Sequence, residues 1–370
     1  MAFLLSIFYF FYFGIVAIYI IFIPKVLDMS GYSGVEIGTI LAAAPLIRFL
    51  LPFVFLRGFR LDTKMMYGAL AIMILASLAF KLSIEHYFFL VGSNIALGLG
   101  LGLVLPYMEV VALESIGQQN YGKVRLFGSV GFIFVALVLA HFLSSKMVAL
   151  DFLVSFAFFS VVISFFILQK CKVVKETQQH SQKSINIFKD YKLWIGLTLM
   201  QVSFGSFYNF FTIYETNHGI SLDTTVYLWS FGVLCEIAML YYQGKFLKNN
   251  LLHILQLATF ITVFRWLIVA SFPEHIFLLF IAQSLHAFSF ALFHSSAISY
   301  LHKLYSDKTL AQQFFSGITY GFGALSGALI SGWIYEHFYT LLFLSSSAFA
   351  FLSFLFLVWW SKESVSTRET

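Results

Sequence analysis

The chain has 370 residues, of which 60% are hydrophobic and 11% charged, with a formal net charge of +5. A soluble domain is about half apolar and roughly 25% charged, and no soluble core of this length hides so much apolar surface. This balance excludes a soluble enzyme, a disordered chain and a secreted disulfide scaffold, and leaves a protein that crosses a bilayer many times.

A membrane helix needs about 20 apolar residues, so the length with short turns predicts about twelve spans. In chain order the apolar runs predict helices near 3–27, 34–56, 65–84, 86–113, 122–143 and 147–169. A second set is predicted near 191–215, 222–246, 251–272, 275–301, 310–335 and 338–360. The first run has no basic segment before it and no small-residue cleavage site after it, so it reads as a retained helix rather than a signal peptide. The longest polar stretch, KCKVVKETQQHSQKSINIFKDYK at 170–192, divides the segments six and six. The expected organisation is a bundle at 1–169, a linker at 170–192, a second bundle at 193–361 and a tail at 362–370. Six, linker, six is the layout of the major facilitator fold.

The bases predict orientation. With both ends cytoplasmic, seventeen Lys and Arg fall in cytoplasmic loops and tail, and only Lys25, Lys81 and Lys146 fall outside. The basic character is then a topology signal in a bacterial inner membrane and needs no nucleic-acid partner. Cys171 and Cys235 have no metal-ligand neighbours, so neither a disulfide nor a metal is expected. Gly128 and Gly131 in the fifth segment, and Gly317, Gly321, Gly323 and Gly327 in the eleventh, suit helices that pack closely. General glycine enrichment in membranes is the alternative.

Four ionisable residues fall inside apolar runs: Arg48, Glu109, Glu236 and Arg265. Each costs roughly 2.5–3.5 kcal/mol at a helix centre, and such residues mark solute or proton paths. A structural ion pair or a snorkelling base is the competing reading. In the eighth segment Trp229, Gly232 and Glu236 share a face that offers an aromatic wall, a gap and a carboxylate. Arg265 in the ninth is the candidate to tune Glu236. The tenth carries Gln283, His286, Phe290 and His294 on one stripe, and His286 is the candidate titrating base. Pro106 precedes Glu109 by a turn and predicts a kink there. Tyr12 and Tyr19 share a face in the first segment, as do Gln201 and Tyr208 in the seventh; these are candidate cavity walls.

The segment YGKVRLFGSVGF at 121–132 resembles the start of the fifth helix in the lactose permease group of proton symporters. It is more similar still to the phenylpropionate permease-like branch of the major facilitators. PLIRFL around Arg48, KLW at 192–194, YLWSFGVLCE at 227–236, VFRW at 263–266 and QSLHAF at 283–288 follow in register. The resemblance implies that Glu109 and Arg125 form a substrate-binding carboxylate–guanidinium pair. It implies that Arg265 and His286 belong to a proton-coupling region, with Glu236 within a turn of a substrate carboxylate. Two departures stand against lactose transport by the same wiring. Ser289 replaces a proton-carrying carboxylate, and SFGSFYNFF at 203–211 lacks the acids of that group. The loop signature of major facilitators is reduced to Gly58, Arg60, Asp62 and Lys64.

Together these readings predict a monomeric proton-coupled importer of a small organic solute working by alternating access, with an aromatic carboxylate favoured. Arg48, Glu109, Arg125, Tyr12, Tyr208 and Trp229 are the expected substrate-binding residues, and Glu236, Arg265 and His286 the expected proton-coupling residues. No cofactor is expected. The alternatives are a sugar or nucleoside symporter, a drug or metabolite exporter, and a membrane-embedded enzyme, for which no hydrolase or metalloprotease motif is present.

Overall fold

The computed structural model describes residues 1–56, 62–143, 145–170, 187–248 and 250–369. The described residues are helical with short connections, and no strand occurs among them. Lipid dictates this: backbone N–H and C=O groups must be satisfied within each segment. In order, the segments are α1 (Ala2–Met29), α2 (Gly34–Leu56), α3 (Thr63–Leu82), α4 (Tyr87–Ile116), α5 (Gln118–Phe142) and α6 (Lys146–Lys170). They continue as α7 (Tyr191–Ser203), α8 (Gly205–Asn217), α9 (Leu222–Tyr242), α10 (Leu251–Ser271), α11 (Ile276–Leu304), α12 (Leu310–His337) and α13 (Leu342–Glu369). Eleven helices among the described residues are long and apolar enough to cross a membrane.

The exception is the expected helix at 191–215. It divides at Phe204 into α7 and α8, each of 13 residues. Ser203 turns its hydroxyl back onto the Met200 carbonyl at 2.6 Å, and the Asn209 amide reaches back to the Gly205 carbonyl at 2.7 Å. These side chains satisfy backbone groups around the break. Elsewhere the helices follow the apolar runs, and α4 continues through Pro106 without interruption. The wider π-type turn appears over Ile18–Phe22 in α1, Ala287–Leu292 in α11 and Phe315–Gly323 in α12. Arg57, Gly58, Arg60, Cys171 and most of the expected linker lie outside the described residues.

The chain divides into two compact units, 1–179 and 180–370. In the first, α1 packs on α5 and α6, α2 on α4, and α3 on α4 and α6. In the second, α7 packs on α12 and α13, α9 on α11, and α10 on α11 and α13. The pairing repeats when α7 and α8 are counted as one segment. Glycines sit at matching contacts in both units. A Cβ on Gly131 of α5 would lie 2.7 Å from Phe10 Cα of α1, and one on Gly205 of α8 would lie 2.6 Å from Gly327 Cα of α12. Only glycine permits these backbone approaches.

Ion pairs lie near the ends of the segments. Lys81 pairs with Asp151, Lys146 with Glu85 and Lys192 with Glu363. Between α11 and α12, the Tyr305 hydroxyl donates to Asp190 at 2.6 Å and accepts from Trp194 Nε1 at 3.1 Å. Burial, followed by that bond to Asp190, pushes the Tyr305 phenol well up.

Gly205→Ala is expected to destabilise the protein by about 1–3 kcal/mol through overpacking. Gly68→Ala, where the new Cβ meets nothing within 4 Å, is the matched control and is expected to be neutral or slightly stabilising. Thermal unfolding of the two purified variants in detergent checks this, with a lowered midpoint required for Gly205→Ala alone.

Candidate functional site

In the first unit the candidate residues gather around α1, α4 and α5. Arg125 Nε lies 3.7 Å from Glu109 Oε1, with both side chains about one-third exposed. The guanidinium sits over the Phe13 ring at 3.8 Å and within 5.4 Å of the Tyr9 ring. Tyr121 meets Tyr9 edge to face with ring centroids at 6.4 Å. Aromatic faces therefore hold the guanidinium on one side, while Glu109 occupies one donor edge. Gly128 leaves room for this arrangement, since a Cβ there would lie 2.7 Å from Phe13 and 2.8 Å from Arg125 Nη1.

Tyr12 lies at the centre of this unit's charges, in the electrostatic field of Arg48, Glu109 and Arg125. Its hydroxyl donates to the Leu101 carbonyl of α4 at 2.9 Å, and the side chain is buried. Tyr12 thus lends a wall to the region, not a free hydroxyl. Tyr19 behaves similarly, bonding Asn94 at 3.0 Å, while Asn94 donates to the Ile40 carbonyl at 2.6 Å. Arg48 is exposed on α2 and does not join the Arg125–Glu109 contact.

The second unit holds a tighter cluster. Arg265 is fully buried on α10. Its Nη1 donates to Ser289 Oγ at 2.9 Å and lies 3.0 Å from His286 Nδ1, and its Nη2 donates to Gln283 Oε1 at 3.1 Å. A guanidinium can only donate, so His286 Nδ1 must accept. The ring is then neutral with its proton on Nε2, and Nε2 lies 3.6 Å from Glu236 Oε2. His286 therefore stands between Arg265 and Glu236. No carboxylate pairs with Arg265 among the described residues. Aromatic faces supply the rest of its surroundings, with Phe207 at 4.5 Å and Phe204 at 5.5 Å.

Trp229 and Tyr208 line the same cluster. Trp229 packs on Phe207 at 4.1 Å and donates its indole N–H to Thr212 Oγ1 at 3.1 Å. Tyr208 stacks on Phe204 at 5.4 Å. Gly232 leaves space for Gln283, whose Oε1 would lie 3.3 Å from a Cβ at that position. The His286 and Phe290 rings stack at 5.2 Å, and His294 follows at 6.3 Å with its Nδ1 2.7 Å from the Tyr320 hydroxyl. The wider turn at 287–292 separates the two histidines, a distortion frequent at functional sites.

Sequence reasoning placed Arg265, His286 and Glu236 in one region but missed Ser289 as a ligand of Arg265. It also missed Phe13 as the platform for Arg125. No sequence signal singles out one ring among 47 phenylalanines. Among the described residues no group of His, Cys, Asp and Glu could hold a metal ion.

Comparisons agree with this architecture. The "Probable 3-phenylpropionic acid transporter" of Escherichia coli (strain K12) is 24% identical over 349 residues, covering 89% of this chain and 90% of that protein. "Uncharacterized transporter YwbF" of Bacillus subtilis (strain 168) is 23% identical over 249 residues, covering 63% of this chain and 61% of that protein. The fold is shared with the crystal structure of the nucleoside transporter NupG, at a TM-score of 0.79 and 16% identity over 96% of this chain and 98% of that one. The model of the MFS_1 like family matches residues 2–345, so the chain belongs to this family of major facilitator transporters.

Proposed function

We propose that this transporter imports a small aromatic carboxylate together with protons, by alternating access, in a bacterial inner membrane with both termini cytoplasmic. The observation that carries the reading is the Arg125–Glu109 contact on an aromatic platform. An arginine held flat against Phe13 keeps its fork oriented, and that fork matches a carboxylate in two-point contact. A substrate carboxylate would compete with Glu109 for the guanidinium. The name of the Escherichia coli relative points to the same substrate class.

Proton coupling rests on Glu236. Its carboxylate faces the Nε2 proton of a histidine that is fixed from behind by a buried guanidinium. Protonating Glu236 removes the attraction to that N–H, and protonating His286 on Nδ1 breaks its bond to Arg265. Either event changes the contact of α9 with α11. This gives the second unit two protonation-dependent arrangements, which is what a coupled transporter needs. Among solutes of other classes, a nucleoside or a sugar would call on Tyr208 and Trp229 more than on the arginines.

Two outcomes are expected. Glu236→Gln abolishes uphill uptake in proteoliposomes but leaves counterflow exchange, because the carrier still reorients without its proton. Retention of uphill uptake, or loss of both activities in a folded protein, rejects Glu236 as the proton carrier. Arg125→Lys keeps the charge but loses the fork, and is expected to raise KM for 3-phenylpropionate about tenfold, or about 1.4 kcal/mol. An unchanged KM rejects Arg125 as the carboxylate ligand.

A further inference from the structure

One fully buried acid takes no part in either cluster. Glu215 is fully buried, and neither carboxyl oxygen has a hydrogen-bond partner. Its main chain is satisfied, since its carbonyl accepts from the His218 and Ile220 N–H groups, each at 3.1 Å. The side chain alone is left unserved. It sits in the last turn of α8, where the helix dipole opposes a negative charge. An ionised carboxylate enclosed without a donor or a counter-ion is one of the costliest groups a fold can hold.

The neighbours offer no relief. The titratable groups that interact with Glu215 are Tyr214 on its own helix and Tyr339 at the start of the α13 segment. Beside them His218 Nδ1 lies 2.8 Å from the Tyr214 carbonyl and 3.3 Å from the Tyr339 hydroxyl. From α12, Tyr335 accepts from the Asn217 amide at 3.1 Å, with Glu336 and His337 following in sequence. The nearest acid of α9 is Asp223, which is exposed. Lys192 of α7 pairs with Glu363 of α13 at the ends of those helices.

Its place on α8 matters more than its burial alone. The same 13-residue helix carries Phe207, which covers Arg265, and Thr212, which holds Trp229. It begins at the break after Phe204, where the seventh segment divides. We propose that Glu215 is a second proton-binding carboxyl of the transport cycle, held as the neutral acid in this conformation and deprotonated when α8 moves. In that step the carboxyl O–H bond breaks, the proton passes to water, and the electron pair stays on the carboxylate oxygen. This proposal rests on the proton-coupled reading above but is tested separately from it.

Infrared spectroscopy of the reconstituted protein tests proton occupancy without any transport. A carboxylic-acid C=O band from Glu215 is expected at neutral pH. The band should vanish in Glu215→Gln and move, without vanishing, in Glu215→Asp. Glu109→Gln and Glu236→Gln identify any bands those acids contribute. A Glu215→Gln spectrum identical to wild type across the titration would overturn the proposal. Proton movement per 3-phenylpropionate transported is expected to fall in Glu215→Gln while counterflow is retained; an unchanged ratio also overturns it. If wild-type protein moves no proton with substrate, the importer reading fails, and the infrared band still decides whether Glu215 binds a proton.

Discussion

The second unit is organised by a fully buried positive charge, Arg265, which pairs with no carboxylate among the described residues. Among the described residues Arg265 bonds to neutral acceptors on α11: Gln283, His286 and Ser289. Because a guanidinium cannot accept, it dictates the tautomer of His286 and points the remaining ring proton toward Glu236. Three residues on three helices thus share one protonation state. The ring faces of Phe204, Phe207 and Trp266 meet the same need, since they are the other surroundings a buried guanidinium tolerates.

The first unit meets the same problem more openly. Arg125 is partly exposed and has a carboxylate 3.7 Å away, with Phe13 beneath it. That arrangement is more open than the Arg265 cluster, and in the proposed cycle an incoming carboxylate takes the place of Glu109. The tighter cluster suits a proton, whose arrival changes hydrogen-bond roles without demanding space. Glycine contacts between α1 and α5, and between α8 and α12, bring backbones together in each unit and leave room for these side chains.

Much of this was legible in the apolar runs, because lipid leaves only helices as spanning elements in such a sequence. Arg265, Glu109 and Glu236 stood out as charges where charge is expensive. Arg125 did not, since it stands near the start of α5 where any topogenic base could stand; only the resemblance singled it out. The break at Phe204 was not legible, because no proline marks it and the Gly205–Gly327 approach is a tertiary contact. Glu215 fell at the boundary of the predicted seventh segment, where a carboxylate reads as solvated. Its burial depends on how α12 and the start of the α13 segment close over α8, which periodicity cannot report.

In the proposed cycle solute and protons move together. The most direct measurement loads proteoliposomes of the wild-type protein with a pH-sensitive dye and adds 3-phenylpropionate outside without any imposed gradient. A co-transporter predicts acidification of the interior that saturates with substrate and disappears in Glu236→Gln. Saturable uptake of radiolabelled substrate with no accompanying proton movement would contradict it.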